Sequence, residues 1–345
     1  MKKNYIFLSL LALLYIVGCE RPAPIESALR VTIDRIKYSQ SDQRLQTLFD
    51  LNFKVNTFKL SWLNGNTVCF ETNYPNIPFN GLNSLETALS DLNITLPARL
   101  RCVIEVTTLG GDVIRDTSLP IHIGFLENTP FGAAPGLLAF WPLAEDFEDY
   151  TINQNHMTPI GAPIHQTIPN SSFQGTYFSN DAYLTSPHST QLNPARVSIS
   201  ALLYLDDLND PADLYTLVSK REYSGWGNSF DFKVSKRDPS GFKVSVSWTH
   251  NGTDTYLEST QNFPFKQRTH IFYVHDENKI QIWVNGEKTD EMASPGLLST
   301  ANNLPLCIGT RPGVRHSLRG YLRDVGIWDR ALSDSEIESI AALYK

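Results

Sequence analysis

The residues best suited to holding a ligand are aromatic. Trp226 stands in SGWGN between two glycines, with Tyr223 just before it. A large ring in such a loop has two fates. It folds back on the protein body, or it offers a flat face on which the C–H surface of a pyranose stacks beside amides and carboxylates that read the hydroxyls. Trp248 ends a strand-like run beside His250 and Asn251 and is a second such ring. The stretch TRPGVRHS (residues 310–317) adds Arg311, Arg315 and His316, which either meet an acidic ligand or face water. Trp141, Trp283 and Trp328 fall inside strand-like stretches and are expected in a core or on a sheet face. There is no G-x-S-x-G, no H-E-x-x-H and no phosphate loop. The alternating acidic run with which a glucan-cleaving strand lines a cleft is missing too. AEDFEDY and SDSEIES sit in a loop and at a helix start. Catalysis is therefore not expected.

The elements that must position these residues are short. The 345 residues suffice for one large or two ordinary domains, and 41% hydrophobic against 19% charged residues suits a folded body. Twenty glycines and twenty prolines point to short elements joined by turns. A formal charge of −7 without a basic stripe argues against a nucleic-acid partner. Residues 1–19 read separately. Lys2 and Lys3 precede a nearly continuous apolar run, Ile6 to Val17, too short to span a bilayer comfortably, so an export signal is expected. It closes with IVGC (residues 16–19), which resembles the lipobox of bacterial lipoproteins. That resemblance implies acyl chains on Cys19 and a membrane-anchored, outer-membrane lipoprotein of the cell envelope, periplasmic or surface-exposed.

In an oxidising compartment Cys69 and Cys102 are either bridged or two buried thiols, and Cys307, in LPLCIGT, reads as a core thiol. After a tether at ERPAPIES, strand-like runs (LRVTIDRIKY, LFDLNFKVNTFKLSWL, NTVCFETNY, RLRCVIEVTTL, SLPIHIGFL) suggest an immunoglobulin-like β-sandwich over residues 28–126. LNSLETALSDL (residues 82–92) within it reads as one short helix or a crossover. ENTPFGAAPG (residues 127–136) is a plausible boundary. Beyond it come many short alternating runs with hairpin signals at Asn251-Gly252 and Asn285-Gly286. They need two stacked sheets to bury their apolar faces, so an all-β chain of two sandwiches is expected. Ser333 and Glu336 fit a capping box opening a last helix, with Ile337, Ile340 and Leu343 as its apolar stripe.

Residues 137–345 resemble the laminin-G-like, concanavalin A-like jelly rolls of bacterial surface proteins. The likeness is carried in order by GLLAFWPLAED, SFQGTYFSNDAYLTSP, LVSKREYSGWGNSFDFKV, KIQIWVNGE, LPLCIGT and LRGYLRDVGIWDRALSDSEI. The resemblance makes the final helix a packing element. It also implies a calcium site at one rim. DYTINQNH (residues 149–156) resembles the family's acidic loop, with Asp149, Asn153 and His156 at the Asp, Asn and His positions. Asp324 stands where the closing strand carries its second acidic residue. Arg323 replaces the first and is a candidate to pair with Asp149 in the cation's place, and Ile152 replaces a glycine and would be strained if its φ were positive. The alternative to calcium is ordinary capped loop residues with a surface salt bridge. The function expected is non-catalytic adhesion or binding of a carbohydrate or matrix component, with Trp226, Tyr223, Trp248 and Arg311 as contacts. The alternative is a structural module that binds an extracellular protein, and a glycan hydrolase with acidic residues from distant loops comes third.

Overall fold

The computed structural model describes residues 29–74, 81–179, 181–206, 214–221, 229–238, 240–250, 253–294, 296–313 and 316–345. The N-terminal part holds β1 (Val31–Ser39), β2 (Arg44–Leu51), β3 (Val55–Asn64), β4 (Thr67–Asn73), β5 (Gly81–Ala88), β6 (Ala98–Thr108), β7 (Val113–Thr117) and β8 (Ile121–Ile123). They form two antiparallel sheets, β1–β2–β5 and β4–β3–β6–β7, with β8 also paired to β6. Strict alternation puts Leu45, Phe49 and Leu51 of β2 and Leu100, Cys102, Ile104 and Val106 of β6 into one core. Trp62 lies between the sheets and its Nε1 donates to Thr87 Oγ1 at 3.1 Å. This is an immunoglobulin-like sandwich.

One expectation for this part is corrected, and one left open is decided. Residues 82–92 are not a helix: they carry the chain from the sheet of β4 to the other sheet as strand β5, antiparallel to β2, then make a single 3-10 turn at Leu89–Asp91. Their leucines repeat at helical spacing, but β5 satisfies the backbone groups along one side of β2. Cys69 and Cys102 are free thiols. Strands β4 and β6 flank β3, and Phe70 and Cys102 both lie opposite Trp62. Two interstrand spacings, roughly 10 Å, therefore separate them, whereas a bridge needs Cα atoms within about 7 Å. Burial pushes the Cys102 thiol up to about 12.

The C-terminal part holds a short helix α1 (Pro130–Ala133), then β9 (Leu137–Trp141), β10 (Thr158–Ile160), β11 (Ile164–Thr167), β12 (Gln174–Phe178), β13 (Tyr183–Ser186), β14 (Val197–Leu205) and β15 (Leu214–Ser219). There follow β16 (Phe230–Asp238), β17 (Gly241–His250), β18 (Thr253–Glu258), β19 (Arg268–His275), β20 (Lys279–Val284), β21 (Glu287–Ala293), β22 (Leu306–Ile308), β23 (Gly320–Trp328) and helix α2 (Asp334–Ala341). Among the described residues these strands make a seven-stranded sheet, β10–β13–β22–β15–β16–β17–β18, and an eight-stranded one, β11–β12–β23–β14–β19–β20–β21 with β9 on β23. Trp141, Ile199, Phe230, Phe232, Trp248, Tyr273, Val325 and Ile327 fill the space between them.

The outer face of the eight-stranded sheet is apolar as well. Phe272, Trp283 and Trp328 are covered there by Phe131 of α1 and by Ile337 and Ile340 of α2. The capping box forms as expected, with Ser333 Oγ accepting from Glu336 N and Ser333 N donating to the Glu336 carboxylate. Leu343 does not join the stripe. The α-helix ends at Ala341, and Leu343 falls in a 3-10 turn, exposed. Both helices thus cover one sheet, and neither covers the outer face of the seven-stranded sheet.

Candidate functional site

The loop expected to hold calcium is built from hydrogen bonds. Asp149 is fully buried: Oδ1 accepts from Phe140 N (3.0 Å) and Thr151 N (2.9 Å), and Oδ2 from Thr151 Oγ1 (2.9 Å) and Asn155 N (2.8 Å). Burial raises its carboxyl to about 6 against the pull of those donors. The Asn153 amide donates to Leu138 O at 2.8 Å. Asp324 shares no hydrogen-bond partner with Asp149; its Oδ2 accepts from Arg323 Nε (2.8 Å) and Tyr344 Oη (2.7 Å). Arg323 therefore pairs with its own neighbour and not with Asp149. The positive φ of the loop falls at Gln154, so Ile152 is unstrained. Calcium needs six to eight oxygens around one point. With four donors on Asp149, and Asn153 and Asp324 engaged elsewhere, these residues do not fit the ion. Among the described residues no group of three or more His, Cys, Asp or Glu side chains could hold a metal.

The same loop docks the two sandwiches on each other. Glu148 forms an ion pair with Arg99 on β6 and a hydrogen bond with His122 on β8 (Nε2–Oε2 2.8 Å). Burial would raise the Glu148 carboxyl, but His122 and Arg99 hold it down at about 2. The His122 ring stacks on Tyr150 with centroids 3.9 Å apart. Gln154 Nε2 donates to Ile36 O (2.7 Å), and His156 Nε2 bonds Pro120 O (3.0 Å) while its Nδ1 accepts from Asp149 N. No motif signals this seam in the sequence.

Of the four expected contact residues, two are placed and neither is free to stack or bind as expected. Trp248 is fully buried between the sheets, edge-on to His275, because Val244, Val246 and Trp248 share the inward face of β17. Arg311 is buried in an ion pair with Asp231. Tyr223, Trp226 and Arg315 lie outside the described residues, as does Cys19. Residues 222–228 join Arg221 to Ser229.

What the structure assembles is a polar patch on the outer face of the seven-stranded sheet. In β16 the apolar Phe230, Phe232 and Val234 face the core, so Asp231, Lys233 and Ser235 face outward; in β17 Ser245, Ser247 and Thr249 do the same. Opposite them β18 presents Asp254, Tyr256 and Glu258. Most of these polar residues are nevertheless buried, Asp231 completely. Lys233 Nζ donates to Ser247 Oγ (2.6 Å) and lies 3.5 Å from Asp231 Oδ2; Arg221 pairs with Asp254, which also accepts from Thr249 Oγ1 (2.7 Å). Burial alone would raise the Asp231 carboxyl, but Lys233, Arg311 and Arg221 outweigh it and hold it below its ordinary value. Burial likewise lowers the Lys233 ammonium, against Asp231. A pocket of about 260 Å³ opens here, lined by Arg221, Lys233, Ser245, Ser247, Asp254 and Tyr256, the last of them 65% exposed. The signal was in the sequence: SFDFKVSK and GFKVSVSWTH alternate apolar residues with Asp, Lys and Ser, which marks a polar sheet face.

Residues 178–338 match the family model of the concanavalin A-like lectin/glucanases superfamily. None of the curated proteins matches the chain. Among solved structures, domain 4 of AbnA, a GH43 extracellular arabinanase from Geobacillus stearothermophilus, in complex with arabinotriose, is 14% identical, with a TM-score of 0.48 over 60% of this chain and 99% of that one. The binding domain of Paraclostridial Mosquitocidal Protein 1 is 17% identical with a TM-score of 0.49, and that of botulinum neurotoxin serotype D/C VPI 5993 is 10% identical with a TM-score of 0.49. The chain covers 52% of each of those two binding domains, about half their length. With the matched segment lying inside two stacked antiparallel sheets, the C-terminal part of the chain is a laminin-G-like, concanavalin A-like jelly-roll domain.

Proposed function

We propose that the chain is a non-catalytic binding protein of a bacterial cell envelope, tethered by lipid at Cys19, whose jelly-roll domain holds a saccharide on the outer face of its seven-stranded sheet. The observation that carries this reading is the pocket beside Tyr256. An exposed ring stands next to hydroxyl, carboxylate and cationic side chains on the outer face of the seven-stranded sheet, which neither described helix covers. Stacking on the ring supplies affinity, and the polar groups read hydroxyl positions. The volume is near the small end of ligand pockets, roughly 300–1,000 Å³, which suits one or two sugar units of a longer glycan. Tyr223 and Trp226, in the segment between Arg221 and Ser229, are proposed as further stacking rings. The test is a glycan array probed with the full chain, with calcium and again with chelator, repeated with Tyr256→Ala and Trp226→Ala. Selective binding that both variants weaken, unchanged by chelator, supports the reading. No binding to any glycan overturns it and turns attention to a protein partner.

A further inference from the structure

The polar patch is more heavily charged than reading neutral hydroxyls requires. Arg221 and Lys233 line the pocket and are each more than nine-tenths buried, and Arg311 stands behind them, equally buried, on Asp231. Burying three cations on a sheet face is expensive even when two carboxylates answer them. Their hydrogen bonding is also incomplete. Arg221 Nε, Arg311 Nε and Asp231 Oδ1 are buried without a hydrogen-bond partner among the described residues, although such groups almost always find one. Of these atoms only Arg221 Nε belongs to a residue that lines the pocket, and it asks for an acceptor there. A sugar carrying an anionic group offers that acceptor to the Arg221 guanidinium and the Lys233 ammonium.

Building on the saccharide reading above, we infer that the pocket selects an acidic sugar, with Arg221 and Lys233 binding its anionic group. Charge-assisted bonds to a guanidinium are roughly twice as strong as neutral ones, and in a recess they are screened less by salt than at the surface. Tyr256, outside the ion pairs, contributes to any sugar irrespective of charge. The two side-chain classes therefore separate the two ideas.

The experiment is calorimetric titration of the full chain with a glucuronate-terminated disaccharide, a sulfated disaccharide and the matching neutral disaccharide. Acidic probes are expected to bind at least about tenfold more tightly than the neutral one. Lys233→Met should remove about tenfold from acidic binding and little from neutral binding. Arg221→Gln repeats the test should Lys233→Met fold poorly, each checked by its melting curve, and Tyr256→Ala should weaken both classes. Comparing the carboxylated and sulfated arms identifies which anion is read. Equal binding of neutral and acidic probes, or acidic binding untouched by both cation variants, overturns the inference and leaves the saccharide reading standing. Failure of every probe overturns both.

Discussion

Single residues in this chain divide by direction within a strand. Trp248 and Tyr256 are both aromatic and flank the same β17–β18 connection, yet one is fully buried and the other is 65% exposed. Trp248→Ala is expected to destabilise the chain by about 3–5 kcal/mol, the usual loss for an excised core ring. Tyr256→Ala should leave stability within about 0.5 kcal/mol, as surface changes do, and act on binding alone; urea unfolding of the two variants separates these roles. Asp149 gives a second contrast. Its four hydrogen bonds brace a loop, so calcium or chelator should leave the melting temperature unchanged, whereas Asp149→Asn sets an N–H₂ group against N–H donors and should lose about 1–3 kcal/mol. A calcium-dependent rise in melting temperature would restore the metal reading. The Asp and Asn positions of the loop were legible in the sequence; their use was not, because hydrogen-bonded loops and ion-binding loops draw on the same residue types.

Elements were more legible than sites. Period-two alternation in β2, β6, β16 and β17 gave two sandwiches, and the S-x-x-E box gave the last helix. Residues 82–92 misled because four leucines at spacings of three and four fit a helix, while the deciding fact, eight residues of backbone pairing with β2, lies far upstream and is invisible locally. The cysteine pair stayed open for a related reason: sequence places Cys69 and Cys102 in separate apolar runs, and only strand order puts β3 between them. Helix α2 shows what a local signal is worth. Ser333 caps it, and Arg330 pairs with Glu336 inside the box. Ser333→Ala should lower stability by about 1 kcal/mol, read by denaturant midpoint with an unchanged m-value; a larger loss would mean that the cap also holds Leu332 against the sheet.

At the scale of the whole molecule, the seam between the sandwiches and the buried histidines make stability depend on pH. His156 at the seam, His270 and His275 are held neutral by burial, at about 4, 3 and 4 against an ordinary 6.5. Above pH 6.5 folded and unfolded chains are both neutral at these rings, and their contribution is complete. As pH falls below 6.5 the unfolded chain takes up protons first, and stability drains until the folded rings titrate. Every tenfold gap in proton affinity between the two chains is worth about 1.36 kcal/mol, which makes the loss roughly 3 kcal/mol for His156. Asp149 works the other way. Its folded carboxyl, at about 6, lies above the unfolded value, so acid favours the fold between those values by a similar amount. One histidine is thereby offset and two are not. Below pH 4.5 the Glu148 pairs with Arg99 and His122 are lost in turn as pH falls toward 2. The free energy of unfolding in urea should therefore be several kcal/mol lower at pH 4.5 than at pH 7. The His270 ring makes no hydrogen bond among the described residues and packs against Phe272 and Tyr344, so His270→Phe should flatten that slope without touching the seam. A profile that is level or rises toward pH 4.5 would mean that these rings stay accessible to protons in the folded chain.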